Sequence, residues 1–136
     1  MSAPRQRILV IDDDPLLHEA VRLILGPEGY EVQGALTGPA GVEAMSADPP
    51  SLVLLDIMLA TPSEGLDLAY EMRKNPRLRS VPVIVLSAVA RSLEFDFARQ
   101  MGDRRLPVER ILEKPFTAQG LRDAVRSLLL PSEVHP

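Results

Sequence analysis

The sequence predicts an α/β fold in which a doubly wound, five-stranded parallel sheet is covered by helices on both faces. Three features of the chain predict this fold. Short aliphatic runs alternate with segments of helical periodicity, and this alternation occurs five times. The runs are apolar at nearly every residue, which is typical of strands buried on both faces of a parallel sheet. The length of 136 residues and the 46% of hydrophobic residues suit one globular domain.

The first two strand–helix pairs are marked by apolar runs and by helix breakers. Residues 8–11 are β-branched or aliphatic and predict the first strand. Apolar residues then recur at helical spacing from Leu17, and this helix ends where glycine and proline cluster at 26–29. Residues 30–35 predict the second strand, and residues 37–47 predict the second helix.

Three further pairs repeat the pattern. The strands are predicted at 52–55, 81–86 and 111–112, and the helices at 65–74, 92–101 and 117–130. Thr117 is expected to cap the last helix, and Pro131 to end it. We therefore expect a single domain over residues 1–136, with its core at 7–130 and a C-terminal tail at 131–136.

The composition excludes several classes of function. The formal charge of −4 and the pI near 5.2 leave no basic surface of the kind that duplex DNA demands, so direct nucleic-acid binding is not expected. No apolar run approaches the ~20 residues needed to cross a bilayer, and no signal peptide is evident, so we expect a cytoplasmic protein without membrane insertion. The chain has no cysteine and only two histidines, so a bound metal must rely on oxygen ligands.

Acidic residues follow two of the predicted strands. Asp12, Asp13 and Asp14 come after the first strand, and Asp56 comes after the third. In a doubly wound fold, ligands bind outside the carboxyl ends of the strands. Carboxylates that converge there repel one another unless a cation neutralises them, and Mg²⁺ accepts such oxygen ligands. The cluster predicts a metal site, although Asp12–Asp14 taken alone could equally cap the first helix, and Asp14 before Pro15 is expected to do so.

A hydroxyl and an ammonium complete this edge of the sheet. Ser87 follows the fourth strand, and Lys114 follows the fifth. An ionised carboxylate such as that of Asp56 can attack phosphorus and form an aspartyl phosphate when cationic and hydrogen-bonding groups shield the phosphoryl oxygens. In isolation each residue would be an ordinary turn or surface residue, but their order along one edge predicts phosphoryl chemistry.

Four strings carry a family resemblance. They resemble the four signature segments of response-regulator receiver domains, and they read ILVIDDDP, LVLLDIML, VPVIVLSA and ILEKPF. The resemblance covers residues 7–130. It implies the (βα)5 flavodoxin-like fold with strand order 2-1-3-4-5. It also implies a member of a two-component phosphorelay, and the length of 136 residues leads us to expect a stand-alone, CheY-like one.

The resemblance implies a metal site of defined composition. Asp13 and Asp56 would bind Mg²⁺, or Mn²⁺, directly, together with the backbone carbonyl of Met58. Asp12 would assist through water. The metal would be the cofactor for phosphorylation of Asp56.

The resemblance also implies the phosphoryl-transfer roles. Asp56 would accept the phosphoryl group from a phosphohistidine of a sensor histidine kinase or a histidine phosphotransfer protein. Ser87 would be the switch hydroxyl, and Lys114 would pair with the phosphoryl oxygens. The Lys114–Pro115 bond is similar to the family's cis bond. Such a protein is not an enzyme in the usual sense, because it catalyses only its own phosphorylation and slow dephosphorylation.

The chain departs from the family pattern at Ile111, and two further residues and His18 bear on its chemistry. Ile111 stands where relatives commonly carry Tyr or Phe, so a switch based on an aromatic ring flip is not available. Met58 and Val89 are apolar and cannot orient an attacking water, so self-dephosphorylation should be slow. His18 lies off the apolar stripe of the first helix, and we expect it to face solvent.

Two alternatives remain open. A phosphohydrolase of the haloacid-dehalogenase kind also has an Asp-x-Asp pair after its first strand, but it usually carries Thr or Val where this chain has Leu16, and it needs a capping domain. A receiver-like interaction module that is not phosphorylated would be expected to have lost an acidic, hydroxyl or lysine residue, and none is lost. No DNA-binding or enzymatic segment follows Leu130, so signalling is expected through contacts with an unknown protein target.

Overall fold

The computed structural model describes residues 6–57, 64–88 and 108–129 and confirms the predicted fold class. Five parallel strands form one sheet in the order β2-β1-β3-β4-β5. The strands are β1 Arg7–Ile11, β2 Glu31–Ala35, β3 Leu52–Asp56, β4 Val83–Ser87 and β5 Arg110–Glu113. The helices are α1 Pro15–Leu25, α2 Gly38–Ala47, α3 Glu64–Lys74 and α4 Ala118–Leu129, with a 3₁₀ turn at Gly26–Glu28. The predicted helix at 92–101 lies outside the described residues.

The hydrophobic core has two layers, one on each face of the sheet. Successive residues of a strand point to opposite faces, so a strand that is apolar throughout contributes to both layers. In β1, Leu9 and Ile11 pack in the layer beneath α2 and α3. Ile8 and Val10 pack in the layer beneath α1 and α4. This division explains why the strands lack an alternating polar pattern.

The ends of the helices are capped by side chains as the sequence predicts. The carboxylate of Asp14 accepts a hydrogen bond from the backbone N–H of Leu16 at 3.0 Å, which satisfies one free donor of the first turn of α1. The hydroxyl of Thr117 accepts one from the N–H of Gly120 at 2.8 Å at the start of α4. Gly29 has φ 97°, a left-handed conformation that glycine adopts without steric cost, and it ends the 3₁₀ turn.

The third and fourth strands end later than the sequence predicts. The predicted ends were residues 55 and 86, but the ladder continues through Asp56 and Ser87. The N–H of Ile57 still donates to the carbonyl of Leu86 at 3.2 Å, and the N–H of Lys114 donates to the carbonyl of Ser87 at 2.8 Å. Asp56 and Ser87 are therefore held by the sheet itself instead of by a loop.

None of the helices in the described ranges is both long and apolar enough to span a bilayer.

Hydrogen bonds to the carboxylate of Glu109, the residue before β5, connect it to α3 and β4. One carboxylate oxygen of Glu109 accepts hydrogen bonds from the N–H of Val83 and from the guanidinium of Arg73, both at 2.7 Å. The same guanidinium donates to the carbonyl of Val81 at 2.9 Å. The carboxylate thus satisfies a partly buried backbone donor at the beginning of β4.

We expect Glu109→Ala to lower the free energy of unfolding by about 1–2 kcal/mol, because the Val83 N–H loses its acceptor. Urea denaturation measures this change. Glu43→Ala, at an exposed position on α2, is the matched control and should leave stability within about 0.5 kcal/mol of the wild type. Equal urea midpoints for the two variants would show that the hydrogen bonds of Glu109 contribute nothing to stability.

Candidate functional site

Three carboxylates converge at the carboxyl edge of the sheet. Asp12 and Asp13 directly follow β1, and Asp56 is the last residue of β3. Because β1 and β3 are adjacent and parallel, their ends meet, and one oxygen from each carboxylate lies within 4.8 Å of the others. Asp12 and Asp56 are buried, with 1% and 6% exposure, whereas Asp13 is exposed. The sequence prediction that these residues share one edge is confirmed.

Asp12 makes four hydrogen bonds through its side chain and backbone. Its carboxylate accepts hydrogen bonds from the N–H of Asp14 at 2.9 Å and from Nζ of Lys114 at 3.1 Å. Its N–H donates to the carbonyl of Ala35 at 3.1 Å, and its own carbonyl accepts from Nε2 of His18 at 2.7 Å. Both carboxylate oxygens and both backbone groups are therefore engaged, so Asp12 has a fixed orientation.

The prediction that His18 faces solvent is wrong. His18 is only 4% exposed, and its ring contacts the backbone between β1 and α1. Helical periodicity reports apolar contacts alone and gives no sign of the backbone carbonyl that His18 contacts. A usable signal was present in the sequence: Gly34 lies inside a predicted strand, and glycine there often marks the close approach of another group.

Lys114 supplies the positive charge of the site. Its Nζ lies 3.1 Å from the Asp12 carboxylate and 3.8 Å from that of Asp56. The Lys114–Pro115 bond is cis, as expected. Three carboxylates and one ammonium leave this cluster with excess negative charge among the described residues. An all-oxygen donor set of this kind suits a hard divalent cation such as Mg²⁺.

Ser87 lies at the same edge. It ends β4, which pairs with β3, and it is 1% exposed, while the small Ala88 beyond it is exposed. Met58, which is expected to offer a carbonyl ligand, lies outside the described residues, as does Val89. Their predicted contributions remain predictions.

The chain matches a known family over most of its length. The family described as "Response regulator receiver domain" matches residues 8–126. This chain belongs to the response-regulator receiver family. It is thus a receiver domain of the two-component signalling type.

The receiver is similar to regulators of several bacteria. It is 32% identical over 123 residues to the "DNA-binding dual master transcriptional regulator RpaA" of Synechocystis, covering 90% of this chain and 48% of that protein. It is 32% identical over 136 residues to the "DNA-binding response regulator MtrA" of Mycolicibacterium smegmatis, covering 100% of this chain and 56% of that one. The chain therefore spans about half the length of these relatives. The structure of the NtrX receiver domain from Brucella abortus shares 29% identity with a TM-score of 0.74, covering 92% of this chain and 99% of that one.

One position of the receiver differs from what the family resemblance leads one to expect. Ile111, in β5, is half-buried and packs against the core layer beneath α2 and α3. It fills this space as an aliphatic residue, so no aromatic ring is available to move at that position.

Proposed function

We propose that this receiver accepts a phosphoryl group on Asp56 from a phosphohistidine of a sensor histidine kinase or histidine phosphotransfer protein. The reaction requires Mg²⁺ or Mn²⁺ and takes place in the cytoplasm. One observation carries the proposal: the ammonium of Lys114 lies 3.1 Å from Asp12 and 3.8 Å from Asp56, and one carboxylate oxygen of Asp13 lies within 4.8 Å of an oxygen of each. This arrangement provides a nucleophile, a fixed cation and a set of metal ligands at one edge of the sheet.

Asp12 and Asp56 have different roles in this proposal. Both carboxylate oxygens of Asp12 already accept hydrogen bonds within the protein. Asp12 therefore orients Lys114 and assists with the metal. Asp56 ends a central strand, so the sheet determines the direction of its attack.

The transfer forms one bond and breaks one bond. A carboxylate oxygen of Asp56 attacks phosphorus, and the bond between phosphorus and the donor imidazole breaks, with the electron pair leaving on the imidazole nitrogen. The ammonium of Lys114 attracts the phosphoryl oxygens, and the Ser87 hydroxyl donates a hydrogen bond to them. The metal would be held by Asp12, Asp13, Asp56 and the backbone carbonyl of Met58. When bound, it would supply further positive charge to the phosphoryl oxygens.

The phosphorylated receiver acts on its target through protein contacts. RpaA and MtrA are described as DNA-binding, but this chain matches only about half of each. The net charge of −4 supports contacts with a protein over direct contact with DNA. Because Ile111 replaces the aromatic residue, the signal reaches the surface without a ring flip.

Incubation of the chain with acetyl phosphate and Mg²⁺, followed by intact mass spectrometry, tests the proposal. We expect a single phosphoryl adduct with Mg²⁺ and none when EDTA is present. Absence of an adduct under both conditions would favour a receiver-like interaction module that is not phosphorylated.

The aspartyl phosphate should persist for minutes or longer once excess donor is removed. Met58 and Val89 cannot orient a hydrolytic water through side-chain hydrogen bonds. The decay of the adduct mass with time measures the lifetime. Replacing Met58 with asparagine supplies a polar group and should shorten the lifetime, whereas a wild-type lifetime of seconds would contradict the prediction.

A further inference from the structure

A buried histidine holds the peptide that joins two of the three acidic residues. Nε2 of His18 lies 2.7 Å from the carbonyl oxygen of Asp12. That carbonyl belongs to the peptide unit between Asp12 and Asp13. A carbonyl oxygen can only accept a hydrogen bond, so Nε2 carries the proton and donates. The bond therefore fixes the plane of the Asp12–Asp13 peptide.

Room for the imidazole ring exists only because residue 34 is glycine. A Cβ atom built on Gly34 would lie 2.1 Å from Nδ1 and 2.8 Å from Cε1 of His18. Gly34 is not required for its backbone conformation, because in the described part of the chain the left-handed glycine is Gly29. The edge strand β2 thus admits the ring by lacking a side chain at this point.

We infer that His18 is a positioning residue for the metal site, acting through the Asp12–Asp13 peptide. The side chain of Asp13 is exposed, so the direction in which it presents its carboxylate depends on the backbone that carries it. The other polar groups of Asp12 are held by different partners, and His18 alone holds its carbonyl among the contacts of the described residues. Groups that orient metal ligands in this way affect metal affinity without touching the ion. The inference rests on the proposed metal site.

A titration of the metal-free protein with Mn²⁺ tests the role of His18. Electron paramagnetic resonance detects the unbound Mn²⁺ and so gives the dissociation constant. We expect His18→Leu to weaken Mn²⁺ binding roughly tenfold. His18→Gln carries a side-chain N–H at similar reach and should bind Mn²⁺ nearly as well as the wild type. A purely structural role would give equal Mn²⁺ affinity in both variants, whatever their thermal stability.

Gly34→Ala perturbs the same contact from the opposite side. It should displace the ring and weaken Mn²⁺ binding, and the double variant with His18→Leu should bind no more weakly than His18→Leu alone. Gly26→Ala is the matched control, since a Cβ there meets nothing within 4 Å. Nitrogen NMR of the metal-free protein should show that the His18 ring carries its proton on Nε2. The signals of the His18 ring nitrogens should change in Gly34→Ala but not in Gly26→Ala.

The outcomes separate this inference from the proposed function. Failure of the wild type to bind Mn²⁺ would overturn the metal site and the inference together. Normal binding by the wild type, with unchanged affinity in His18→Leu and Gly34→Ala, would overturn the inference alone. If His18→Leu does not fold, the difference between Gly34→Ala and Gly26→Ala decides the question.

Discussion

Substitution of Lys114 by methionine is expected to slow phosphorylation of Asp56 by roughly 10²–10³-fold while it strengthens divalent-metal binding. The ammonium lies 3.8 Å from the Asp56 carboxylate and provides a fixed positive charge where phosphoryl oxygens would lie. The same ammonium neutralises part of the acidic cluster and repels a divalent cation. Its removal therefore lowers the rate and raises the metal affinity, and a general loss of structure would not produce these opposite effects.

The rate is measured by following the acetyl phosphate reaction by intact mass, and the affinity by Mn²⁺ titration. Lys74→Met is the matched control, because Lys74 is an exposed lysine on α3. It should change neither quantity. A Lys114→Met protein that is phosphorylated at the wild-type rate, or that binds Mn²⁺ more weakly, would contradict the role assigned to this lysine.

Asp13→Asn is expected to stabilise the metal-free protein and to remove most of its stabilisation by Mg²⁺. In the absence of metal, the Asp13 carboxylate is repelled by Asp12 and Asp56, whose oxygens lie within 4.8 Å. Because Asp13 is exposed, solvent screens this repulsion, and its relief should raise the free energy of unfolding by on the order of 1 kcal/mol. With Mg²⁺ at one hundred times its dissociation constant, the wild type should gain about 2.7 kcal/mol, and the variant much less.

Urea denaturation with and without Mg²⁺ gives both quantities. Asp14→Asn is a close control, since Asp14 is the next residue, is exposed and caps α1, and asparagine caps a helix about as well. It should alter neither the stability nor the response to Mg²⁺. An Asp13→Asn variant that is destabilised without metal, or that responds fully to Mg²⁺, would remove Asp13 from the metal site.

Much of the fold could be predicted because the sheet is buried on both faces. A run such as Leu52–Leu55 has no polar residue that could face water, and this requires helices above and below the strand. The strand ends were less predictable. A polar residue ends an apolar run in the sequence, but hydrogen bonds of neighbouring strands carry the ladder on to Asp56 and Ser87.

The site could be predicted where topology alone brings residues together. The sheet order places at one edge the residues that follow or end its parallel strands, namely Asp12, Asp13, Asp56 and Lys114. His18 could not be placed in this way. Its burial depends on a hydrogen bond to a backbone carbonyl and on space over a glycine, and helical periodicity reports neither.

Mass spectrometry of the wild type and of Asp56→Asn shows whether Asp56 carries the phosphoryl group. Wild type and Asp56→Asn are each incubated with acetyl phosphate and Mg²⁺, and their intact masses are compared. We predict one phosphoryl adduct on the wild type and none on Asp56→Asn. An equal adduct on both proteins would show that Asp56 is not the phosphoacceptor.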